Sequence, residues 1–104
     1  MDRIEKIKQF LAQSPGDSFL QHALALEYIK LGDDATAKGI FEQLLAENEN
    51  YVGSYYHLAK LLERQGNTEA ALETYQKGMQ IARKVDDKHA YNELQAALED
   101  LEED

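Results

Sequence analysis

The sequence predicts an all-α fold, a short right-handed solenoid of helical hairpins with about six helices. Three observations predict it. Leu24, Ala25, Gly32, Ala37 and Phe41 recur 34 residues later as Leu58, Ala59, Gly66, Ala71 and Tyr75, and self-similarity at a period of roughly 20 to 50 residues marks a stack of repeated units. One proline, six glycines and no tryptophan, set against many Ala, Leu, Glu, Gln and Lys, favour helix over strand. Breakers fall between segments that each carry the three- and four-residue apolar spacing of a helix.

The first helix, Asp2 to Gln13, groups Ile4, Ile7, Phe10 and Leu11, and Ser14-Pro15-Gly16-Asp17 ends it. Ser18 followed by Gln21 suits a capping box, after which Phe19, Ala23 to Leu26, Tyr28, Ile29 and Leu31 make a broad apolar face up to Gly32. Past the tight turn Gly32-Asp33-Asp34, a third helix from Ala35 to Glu47 uses Ala37, Ile40, Phe41, Leu44 and Leu45. Tyr51 to Gln65 and Glu69 to Lys84 reprise that pair around Gly66-Asn67-Thr68, with Asn67 or Thr68 as N-cap. After Asp86-Asp87 a last helix carries Tyr91, Leu94, Leu98 and Leu101, and its acidic end Glu102-Glu103-Asp104 opposes the helix dipole and should fray.

The chain has 104 residues, 43% hydrophobic and 30% charged, enough for one domain with a real core and too apolar for intrinsic disorder. Cysteine is absent, which removes thiolate zinc sites and fits a reducing, cytoplasmic setting. No stretch reaches the roughly 18 consecutive apolar residues of a membrane span, and the N-terminus lacks the apolar block of a secretion signal. The net charge of −9 is uneven. Residues 1–51 hold five cations against nine carboxylates, residues 52–85 five against three, and residues 86–104 one against eight. That balance disfavours nucleic acid and anionic lipid, both of which call for Lys/Arg stripes.

These residues resemble the tetratricopeptide repeat, whose 34-residue unit carries a Trp-x-x-Leu-Gly-x-x-Tyr, Ala-x-x-x-Phe, Pro signature. Tyr55, Leu58, Ala59, Leu62, Ala71 and Tyr75 fit it in one copy, and Leu24, Ala25, Tyr28, Ala37 and Phe41 in the other. Gln21 stands where the large aromatic is expected, Glu49 and Arg83 replace the closing proline, and Leu44 is bulkier than the usual small residue. Pro15 lies 34 residues before Glu49, so the first helix reads as the second half of a repeat. The resulting single domain divides into an N-terminal half-repeat helix (1–16), repeat 1 (18–51), repeat 2 (52–85) and a capping helix with an acidic tail (86–104).

The resemblance implies a non-catalytic adaptor that receives a protein partner, as a peptide or a helix, in a concave groove lined by Phe19, His22, Leu26, Ile29, Gly53, Tyr56, Lys60 and Glu63. Tyr56 is the anchor expected there, because tyrosine offers large contact area at low entropic cost. Some relatives grip an acidic carboxy-terminus with basic residues and asparagines. Here Lys60, Lys30 and Arg64 are available, but Ala23 and His57 occupy the asparagine places, so a partner of mixed or basic character is expected. Gly78 reads as a close helix contact, and Gly53 as a permissive first-turn residue.

Other chemistry finds little support in the residues. His22, His57 and His89 are not spaced as metal ligands, and neither a phosphate loop nor a nucleophile motif occurs, so neither cofactor nor enzymatic activity is expected. The alternative function is a self-associating scaffold unit, with Ile4, Ile7, Leu94 or Leu98 buried between chains. Abutting acidic tails would repel, which favours a monomer.

Overall fold

The computed structural model describes residues 2–103. Six α-helices account for the regular structure: α1 Arg3–Gln13, α2 Ser18–Lys30, α3 Asp34–Glu47, α4 Gly53–Arg64, α5 Thr68–Lys84 and α6 Lys88–Glu103. No strand occurs among the described residues. The helices fall into two compact units, α1–α3 up to Asn48 and α4–α6 from Glu49 onward.

In the first unit α2 packs against both α1 and α3. Ile7, Leu24, Ala25, Ala37, Phe41 and Leu44 are buried, and Ala25 and Ala37 are wholly excluded from solvent. A methyl group at those positions lets the helix axes close until Phe41 and Leu44 fill the remaining space. Each such large side chain contributes about 1.5–3 kcal/mol by leaving water. Leu44, oversized for its place in the repeat signature, is accommodated with no exposed surface.

Every helix start except that of α4 follows an Asp or Asn side chain. Asp2 accepts from the Glu5 amide at 2.8 Å, and Asp17 from the Leu20 amide at 3.1 Å. The capping box expected at Ser18 therefore does not form. Asp17 is in extended conformation at the cap position and its carboxylate takes the free amide, which places Ser18 inside the helix. Ser18 Oγ accepts from Asn48 Nδ2 at 3.0 Å, and Gln21 donates back to the Pro15 carbonyl at 2.8 Å.

One turn design is used three times. Gly32, at φ +80°, follows α2, with Asp33 N donating to Tyr28 O at 2.9 Å and Gly32 N to Ile29 O at 2.9 Å. Asp33 then caps α3 by accepting from the Thr36 amide at 3.1 Å. Gly66 at φ +79° and Asn67 repeat the arrangement between α4 and α5. Asp86 at φ +58° and Asp87 repeat it between α5 and α6, with Asp87 N on Ala82 O at 2.8 Å. The left-handed residue satisfies the carbonyls left open at one helix end, and the following Asx side chain satisfies an amide at the next start.

In the second unit α5 lies against α4 and α6. Gly78 makes this packing possible: a Cβ placed there would sit 2.7 Å from Tyr55 Cβ and 3.0 Å from Leu94 Cδ1. Tyr75 and Leu94 are almost wholly buried beside it. Helix α4 begins at Gly53 rather than Tyr51, with Val52 at the cap position and no side-chain hydrogen bond capping it. Helix α6 runs to Glu103 despite its acidic end, and only Asp104 of the tail lies outside the described residues. Burial of Leu94, Ala97 and Leu98 outweighs an unfavourable dipole contact of about 0.3–1 kcal/mol.

Those same contacts correct the expected self-association surface. Ile7, Leu94 and Leu98 are 6%, 1% and 9% exposed, so they belong to the core and form no outward apolar patch of their own, while Ile4 is half-buried.

Candidate partner-binding face

The expected groove residues occupy two helices. Phe19, His22, Leu26 and Ile29 lie on α2 in the first unit, and Gly53, Tyr56, Lys60 and Glu63 on α4 in the second.

On α2, Phe19 is 70% exposed. His22 is half-buried and sets its ring edge against Phe41, with centroids 5.7 Å apart and planes at 64°. Leu26 and Ile29 are half-buried as well. Between them Glu27 accepts from Lys30 Nζ at 3.0 Å and from Arg3 Nε at 3.1 Å. The Lys30 hydrogen bond, followed by the charges of Lys30 and Arg3, holds the Glu27 carboxyl below the ordinary carboxylate value. Lys30 thus pairs with a carboxylate of its own helix, while its side chain remains 69% exposed.

On α4, spacings of four and seven residues bring Tyr56, Lys60 and Glu63 onto one face. Tyr56 is half-buried, and Lys60 Nζ stands 5.8 Å from its ring centroid. The same ammonium lies 3.7 Å from Glu63 Oε2. Glu63 is fixed from below, because the Tyr75 hydroxyl of α5 donates to its carboxylate. Tyr75 holds its proton well above the ordinary phenol range, first because it is buried and then because Glu63 accepts its hydrogen bond. Its ring is fully shielded, so this hydroxyl is an immobile post. Gly53 is exposed, and a Cβ there would meet nothing within 4 Å, so packing does not demand glycine.

Two contributors were not among the expected site residues. Tyr75 enters the sequence reading only as the aromatic of the repeat signature, yet its hydroxyl fixes Glu63. Asp100, on α6, lies near enough to act electrostatically on Tyr75. Spacing along α4 reveals neither, since both come from other helices. His57, next to Tyr56, points elsewhere in charge terms: burial lowers its basicity, partly offset by Glu93 of α6.

A family model described as tetratricopeptide repeat matches residues 28–98. The chain belongs to the tetratricopeptide repeat family. With it the chain joins the helical-hairpin solenoid class, whose repeats serve generally as protein–protein interaction modules and are typically non-catalytic. The crystal structure of a tetratricopeptide repeat domain protein from Salinibacter ruber is similar at 40% identity, covering 83% of this chain and 96% of that one, with a TM-score of 0.80. A protein from Bordetella parapertussis shares the fold at 23% identity over 99% of this chain and 90% of that one, with a TM-score of 0.85. The type III secretion translocator chaperone SycD of Yersinia enterocolitica shares it at 14% identity over 95% and 69%, with a TM-score of 0.84. No curated protein matches. Among the described residues of this tetratricopeptide protein, no group of three or more His, Asp or Glu could hold a metal ion, and no helix is long and apolar enough to cross a membrane.

Proposed function

We propose that this tetratricopeptide repeat protein is an adaptor that holds a peptide or helix of a partner protein, with α4 supplying the central contact. In this reading α2–α3 and α4–α5 are its two repeats, α1 a half-repeat and α6 the cap. Phe19, Leu26 and Ile29 offer apolar contact on α2. The observation that carries the reading is the fixed cluster on α4. Tyr56 presents a large half-buried ring, Lys60 hovers over it, and Glu63 is immobilised by Tyr75. A ring and a carboxylate held before the partner arrives lose little entropy on binding, which is the condition for a binding hot spot.

Peptides selected from a random display library on the intact protein test the proposal. Tyr56→Ala should weaken the selected peptides by at least about tenfold while leaving helicity and melting temperature near wild type. Amide shifts on titration should centre on residues 53–64. Unchanged affinity in Tyr56→Ala, or shifts confined to other helices, would overturn the assignment to α4.

A further inference from the structure

A groove on the second unit and a helix face on the first have no role in the proposed partner-binding face, and their features are complementary. Between α5 and α6 lies a cavity of about 290 Å3 beside Ala82, Arg83, Asp86, Asp87, Lys88 and Tyr91. A second of about 170 Å3 sits against Gln76, Met79, Gln80, Tyr91 and Leu98. Arg83 and Tyr91 wall both. The guanidinium stands 5.1 Å from the Tyr91 ring centroid and donates to its hydroxyl at 2.9 Å, which holds the shared wall in place. One helical turn beyond Leu98 comes the exposed Glu102, and residues 88–103 carry five carboxylates against one lysine.

Helix α1 shows the opposite character. Ile7 faces its own unit, but Phe10 is 51% exposed. Lys6 and Arg3, four and seven residues earlier, fall on the same stripe as Phe10 and are exposed. Residues 3–13 carry three cations against one carboxylate.

We propose that α1 of a second copy of this chain docks in the α5–α6 groove, antiparallel to α6, with Phe10 against Met79, Tyr91 and Leu98 and Lys6 beside Glu102. The register follows from helix geometry. Phe10 and Lys6 are about 6 Å apart along their axis, and so are Leu98 and Glu102. Running antiparallel therefore seats the aromatic ring and pairs the charges together. The parallel direction would instead carry Lys6 away from Glu102, toward a wall where Arg83 and Lys88 stand among Asp86 and Asp87. Like ends of this chain repel, whereas unlike ends attract. A contact between the basic start of one copy and the acidic end of another is heterologous, so copies add head to tail, into a closed ring where the rotation between them closes and into an open string where it does not.

Sedimentation equilibrium of the intact chain at low ionic strength tests this. The wild type should exceed its 11.8 kDa chain mass progressively as concentration rises. Phe10→Glu blocks the start of the chain, and Gln76→Lys/Gln80→Lys places two cations in the groove. All three positions are exposed, so circular dichroism should match wild type. Each variant alone should associate at least about tenfold more weakly. Their equimolar mixture retains one intact groove and one intact α1 per pair and should stop at twice the chain mass. A wild type that stays at one chain mass up to ~1 mM, variants that associate like wild type, or a mixture that fails to pair would each overturn the proposal.

Discussion

Two helical glycines make opposite demands. Gly39 is exposed on α3 and a Cβ there would touch nothing within 4 Å, so Gly39→Ala should stabilise the protein by about 0.5–1 kcal/mol, read as a raised urea midpoint. Gly78→Ala would drive a methyl to 2.7 Å from Tyr55 Cβ, and overpacking of this kind costs about 1–3 kcal/mol. A Gly78→Ala variant as stable as wild type would show that α4 and α5 can separate freely. Titration adds a second prediction. Burial, helped by Glu49, pushes Tyr55 up to about 12 from an unfolded value of 10, and its hydroxyl donates to the Glu49 carbonyl at 2.7 Å. A folded value above the unfolded one means stability is intact below pH 10 and is lost as pH rises from there to about 12, by up to about 1.4 kcal/mol per unit. Tyr75 acts in the same direction. Tyr55→Phe should flatten the alkaline limb of a stability profile. His57 has the opposite sign: its folded basicity is depressed, so the unfolded chain binds the extra proton and stability falls as pH drops below the ordinary value of 6.5. His57→Gln should lessen the loss between about pH 7 and pH 5.

At the level of elements, caps and turns set where each helix starts and stops. Asp17→Ala should cost about 1 kcal/mol, while Ser18→Ala costs less because the hydroxyl meets only the exposed Asn48 amide. Asp86 performs in the left-handed region what Gly32 and Gly66 do at their turns. Asp86→Gly should therefore raise stability by about 1 kcal/mol, and Gly66→Ala should lower it by a similar amount, both measurable by thermal melts. Much of this element order is legible in the sequence, since Gly32-Asp33 and Gly66-Asn67 stand 34 residues apart with matching alanines around them. The third turn is legible only as the polar break Asp86-Asp87, and its likeness to the other two is hidden because aspartate replaces glycine there and the spacing from Gly66 to Asp86 is shorter. The persistence of α6 is set by burial on a neighbouring helix, which local sequence does not record.

For the whole molecule, charge is the governing quantity. The −9 total is concentrated after residue 86, while residues 3–13 and 52–85 carry net positive charge. Raising salt from about 0.02 to about 0.5 M shortens the screening length several-fold, so any association between α1 and α6 of different copies should weaken with salt. An association that strengthened with salt would instead point to apolar contact alone. The sequence by itself determined the family, the all-α class and the two in-phase repeats, because alanines, aromatics and turn residues must recur wherever the same hairpin recurs. It also placed Tyr56, Lys60 and Glu63 on one helix face, since that depends only on helical spacing. Only the tertiary structure decided that Tyr75 fixes Glu63, that His22 packs on Phe41, and that Ile7, Leu94 and Leu98 are interior while Phe10 is not. Those outcomes depend on which face of each helix meets a neighbour, and an apolar residue carries no mark of whether a helix of its own unit covers it.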